Sequence, residues 1–108
     1  MHYHFINRGS QGVQSNMTIQ LSHHALEKAH RRGVNMSHIY QTLKTPDDIY
    51  EDVEHNTTVA VKKTNDKSII LAYKEEKGLV KIITLYYTTK LERLMKSKTV
   101  RGAWKRVK

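Results

Sequence analysis

Between Ile49 and Tyr87 the apolar residues recur at every second position, in four runs separated by turns too short to hold a helix. The runs cover residues 49–54, 57–63, 68–74 and 79–87. His55-Asn56, Asn65-Asp66-Lys67 and Glu75-Glu76-Lys77-Gly78 lie between them as turn clusters. Connections this short pair successive strands antiparallel, so the spacing predicts a four-stranded meander. The fourth run, LVKIITLYY, is apolar on both sides and belongs inside the sheet. In a regular strand Val80, Ile82, Thr84, Tyr86 and Thr88 share one face, and Leu79, Lys81, Ile83, Leu85 and Tyr87 the other.

Before the strands the period is helical. Ser22 is a good N-cap for SHHALEKAHRRG, Leu21 and Leu26 are placed for a hydrophobic staple, and Gly33 suits the left-handed residue that ends a helix. Asn35 can cap a second helix, in which Met36, Ile39, Tyr40 and Leu43 form a core-facing stripe and Thr45-Pro46 forces the end. Thr18 to Leu21 alternates and reads as a short strand. After the fourth run, Thr89-Lys90-Leu91-Glu92 fits a capping box for a third helix reaching about Lys96. The expected fold is therefore α+β: an N-terminal helical hairpin packed on a four-stranded antiparallel sheet, with a short C-terminal helix. Residues 1–16 read as a flexible leader, 17–98 as the domain and 99–108 as a basic tail.

Within the first helix His24, Lys28 and Arg32 follow at four-residue intervals and share a face, with Arg31 beside them. Such a row of cations does not stabilise a helix by itself. It suits a phosphodiester, because an imidazole moves a proton near neutral pH and two cations hold a phosphate. Nineteen Lys+Arg against ten Asp+Glu give +9, an excess that points to a polyanion such as nucleic acid. No apolar run is long enough to span a bilayer, and the first residues have no secretory pattern, so the expected compartment is the cytoplasm. With no cysteine there is no disulfide, thiolate nucleophile or cysteine-ligated zinc. Nothing in the pattern calls for a metal or another cofactor.

The run His24-Ala25-Leu26-Glu27-Lys28 with Arg32-Gly33-Val34, the Thr45-Pro46-Asp47 turn, and Ile83-Thr84-Leu85-Tyr86-Tyr87 together resemble a family of small uncharacterised domains related to the RelE-like toxins. The resemblance covers roughly residues 19 to 95. It implies the barnase, EndoU, colicin and RelE group of metal-independent ribonucleases, with two N-terminal helices on one face of an antiparallel sheet. It also implies a cytoplasmic toxin that cleaves RNA, held by a separate acidic antitoxin or immunity protein. Carried over by position, His24 matches the histidine opening the family's first helix, Lys28 a basic position, and Arg32 the arginine before the glycine. Thr84 and Tyr86 fall on the last strand, where the group places hydroxyl-bearing residues.

Metal-independent cleavage uses the RNA 2′-OH as nucleophile and needs a base, an acid and charge stabilisation on the phosphorane. The expected catalytic set is His24, Lys28, Arg32, Thr84 and Tyr86. His23, Arg31, Lys74, Lys90, Lys105 and Arg106 are the expected nucleic-acid contacts. Whether His23 or His24 turns inward is left open by their adjacency. His30, His38 and His55, scattered over different segments, read as surface. Two other readings fit the same charge: a nucleic-acid-binding module of this fold without catalysis, and a regulatory domain that binds an acidic protein.

Overall fold

A computed structural model of the chain describes residues 2–5 and 17–107. The described residues form seven strands and three helices in the order β1 (His2–Phe5), β2 (Met17–Leu21), α1 (His23–Arg32), α2 (Met36–Lys44), β3 (Asp48–Asp52), β4 (Thr57–Lys63), β5 (Ser68–Glu76), β6 (Leu79–Thr88), α3 (Leu91–Val100) and β7 (Trp104–Arg106). All seven strands make one sheet, ordered β1-β2-β6-β5-β4-β3-β7.

The class is α+β as expected, but the four-stranded antiparallel sheet with a helical hairpin on it is not what forms. The meander β3 to β6 is present and antiparallel. β2 then adds to β6 in parallel, β1 pairs with β2, and β7 closes the far edge against β3. The two helices share one face of the wider sheet but cover different strands: α1 lies on β6 and β2, and α2 on β4 and β5. Periodicity reports which residues are strand but not which distant strand they join, so the three added strands were invisible as sheet members. Within 99–108, read as a basic tail, residues 99–100 end α3 and Trp104–Arg106 form β7; of the expected leader, residues 2–5 form β1, and 1 and 6–16 lie outside the described residues.

The local signals for the first two helices operate as written. The Ser22 hydroxyl accepts the Ala25 N–H, and Gly33 closes α1 at φ 65°. Asn35 caps α2 by accepting the His38 N–H. The capping box at α3 does not form: Lys90 is the cap residue, without a side-chain bond, and its N–H goes to the Thr88 hydroxyl.

The sheet is buried on both sides. One core joins Ile19, Leu21, Ala25, Ile39, Leu43, Leu71, Val80, Ile82 and Leu85 beneath α1 and α2. The other joins Tyr50, Val59, Val61, Ile70, Leu91, Ala103 and Trp104 on the α3 side of the sheet, with Tyr86 packed against it. β6 serves both cores through an irregularity. Its register with β5 runs from Tyr73↔Ile82 to Ala72↔Thr84, which leaves Ile83 as an extra residue. Regular alternation would have put Thr84 and Tyr86 on the side of Val80 and Ile82. The bulge advances the phase by one residue, so Val80, Ile82 and Leu85 face the α1–α2 core and Tyr86 faces the other. Ser22 anchors this point, donating its N–H to the Ile82 carbonyl and its hydroxyl to the Ile83 carbonyl, each at 2.9 Å.

Candidate functional site

On the α3 side of the sheet a cavity of about 220 Å³ opens between β3, β4, β5, β6 and β7. Asp52, His55, Thr57, Thr84, Tyr86, Lys98 and Trp104 give it its polar groups. Val59, Ile70, Ala72 and Ile83 give it apolar walls.

Asp52 organises one end. It is the last residue of β3, and its Oδ1 accepts the backbone N–H groups of Glu54 (3.0 Å) and His55 (3.1 Å), an Asx turn that reverses the chain toward Asn56, at φ 53°. Its Oδ2 meets His55 Nδ1 at 3.0 Å and accepts the Trp104 indole N–H at 3.3 Å. Burial opposes the Asp52 charge, but the His55 side-chain bond, the His55 N–H, the histidine's field and the Trp104 bond outweigh it. The carboxyl is held below its ordinary range. An ionised carboxylate only accepts, so His55 Nδ1 carries the proton and Nε2 is the free nitrogen. Trp104 is fixed in turn by stacking on Tyr50, with ring centroids 5.3 Å apart.

Thr84 and Tyr86 line the same cavity because of the bulge in β6. Burial, and secondarily the Asp52 charge, push the Tyr86 hydroxyl up from its ordinary value, so it is protonated at neutral pH and available as a donor. Lys28 reaches across from α1, its Nζ 5.5 Å from the Tyr86 ring centroid. Lys98 Nζ stands 5.9 Å over the Trp104 ring. Tyr86 also borders a second groove, with Tyr87, Thr88, Lys90, Arg93, Leu94 and Ser97, so cations continue from the cavity along α3.

Of the expected catalytic residues, Lys28, Thr84 and Tyr86 are brought together. His23, His24 and Arg32 are exposed on α1, and Arg31 pairs with Glu27 at 3.9 Å. Lys74 and Lys105 are exposed on β5 and β7, and Lys90 stands at the start of α3. Arg106 is spoken for within the fold: it bonds Asp48 at 2.6 Å and Tyr50 at 3.3 Å. Asp52, His55, Thr57, Lys98 and Trp104 were not foreseen. The one local trace was the Asp52-x-x-His55 spacing across a turn, since a carboxylate at a strand end commonly bonds the residues that follow it.

Asp52, Glu54 and His55 each bring one ligand atom within 4.8 Å of the others. Both Asp52 oxygens are already used in four hydrogen bonds, and Glu54 pairs with Arg101 at 3.5 Å. The trio is accounted for by turn chemistry without a cation.

Fold and site together define a small, strongly basic α+β domain with a cavity on its sheet that sets a few polar groups among apolar and aromatic walls. Residues 21–87 match the model of the family described as a domain of unknown function, DUF4258, and the chain belongs to that family. The matched span runs from α1 through β6 and carries every cavity residue named above except Lys98 and Trp104. No curated protein and no solved structure matches the chain. No helix among the described residues is long and apolar enough to cross a membrane.

Proposed function

We propose that this domain is a metal-independent endoribonuclease that cleaves RNA through the substrate's own 2′-OH. The observation that carries the reading is the convergence on one cavity of a carboxylate-held imidazole (His55), a half-buried tyrosine, a threonine and a lysine, with Lys28 over the Tyr86 ring. His55 Nε2 moves a proton, either from the attacking 2′-OH or to the departing 5′-oxygen, with Asp52 fixing the tautomer. Lys28 and Lys98 stabilise charge on the phosphorane, and Tyr86 donates to a phosphate oxygen. The net charge of +9 draws the polyanion to this surface. The 2′-oxygen bonds to phosphorus, the 5′-oxygen leaves with a proton, and a 2′,3′-cyclic phosphate results.

The test is incubation of the purified protein with labelled RNA in EDTA, beside His55→Ala and His24→Ala variants. Fragments ending in cyclic phosphate, lost with His55→Ala and kept with His24→Ala, support the assignment. Loss with His24→Ala instead would move the chemistry to the α1 face. Intact RNA retained with a steep salt dependence would leave a binding module without catalysis.

A further inference from the structure

One buried polar group of the cavity belongs to none of these roles. Thr57 is only 7% exposed, and its Oγ1 has no hydrogen-bond partner among the described residues. Thr57 alternates along β4 with Val59 and Val61, both in the core on the cavity side, so its side chain faces the cavity it lines. A buried hydroxyl is destabilising until a partner accepts from it or donates to it. The surrounding wall is apolar and aromatic: Val59, Ile70, Ala72, Tyr86 and Trp104. A cavity of about 150 Å³ takes a benzene ring. The 220 Å³ here suits one heterocyclic ring system with polar edges.

We propose that the cavity is a nucleobase pocket that takes one unstacked base of single-stranded RNA, with the Thr57 hydroxyl bonding the base edge. The inference rests on the ribonuclease reading for its ligand class. Aromatic rings are platforms for any base, whereas a fixed hydroxyl distinguishes bases by their edge. Thr57 is thus a specificity residue, and Lys98 at the pocket and Lys28 over the Tyr86 ring receive the adjoining phosphates.

Trp104 is the only tryptophan and lines the pocket, so its emission reports occupancy. The four nucleoside 5′-monophosphates are titrated at low salt into the full chain and into Thr57→Val, with ribose 5-phosphate as the baseless control. Expected is a saturable change with nucleotides and none with ribose 5-phosphate. Thr57→Val should weaken at least one nucleotide about fivefold, reorder the four, and leave the melting temperature unchanged or higher. An equal response to ribose 5-phosphate, no response to any nucleotide, or a uniform loss with a lowered melting temperature each overturns the pocket. RNA cut in EDTA with no nucleotide seen by Trp104 would sink the pocket alone. Base-dependent quenching with RNA left intact would sink the ribonuclease reading alone.

Discussion

Lys28 Nζ lies 5.5 Å from the ring centroid of Tyr86, so the basic face of α1 and the cavity side of β6 meet at one point. The bulge at Ile83 turns Tyr86 to the face opposite the core that α1 covers, and Lys28 still reaches its ring from α1. A phosphate bound by Lys28 therefore sits beside the cavity rather than on an isolated helix.

Lys28→Met should lower RNA affinity roughly equally for all sequences and reduce the salt slope of binding by about one. Its effect on stability should stay within about 1 kcal/mol, the scale of an exposed cation–π contact. Filter binding across a salt series, with thermal melts of both proteins, checks this.

His55→Ala should reduce cleavage roughly 100- to 10,000-fold while leaving RNA affinity within a few-fold. Tyr86→Phe, which keeps the ring over which Lys28 stands, should lower the cleavage rate more than it lowers affinity. Single-turnover rates beside equilibrium binding separate the two effects.

Asp52→Asn removes a charge that accepts four hydrogen bonds, at a cost of about 1–3 kcal/mol near neutral pH. Because the Asp52 carboxyl is depressed in the folded state, its contribution is present above the unfolded value of about 4 and lost as pH falls through the lower folded value. The stability gap between the proteins should be full at pH 6 and close below about pH 4. Denaturant melts at several pH values read this directly.

Arg106→Ala should lower the melting temperature and barely change RNA retention, because the guanidinium is already held by Asp48 and Tyr50. Lys105→Ala, at the neighbouring exposed position, should do the reverse if RNA runs along β7. Comparing the two by melting and by salt-dependent binding distinguishes a structural cation from a contacting one.

Gly33→Ala should cost about 1 kcal/mol through backbone conformation alone, since φ is 65° and a Cβ there meets nothing within 4 Å. In a domain of this size that is a fall of roughly 4 °C in melting temperature.

Ser22, Gly33, Asn35 and Pro46 mark the limits of the first two helices in the sequence itself, because capping and termination act over three or four residues. The alternation through residues 49–87 likewise placed the four meander strands, since a half-buried strand shows its period without reference to its neighbours. The parallel pairing of β2 with β6 and the addition of β7 depend on contacts between segments far apart in the chain, which no local pattern records. The site is of the second kind. Asp52 and Trp104 lie 52 positions apart and meet only once β7 pairs with β3. Thr84 and Tyr86 reach the cavity only because one extra residue at Ile83 shifts the phase of β6, a bulge set by how β5, β6 and the Ser22 anchor fit together.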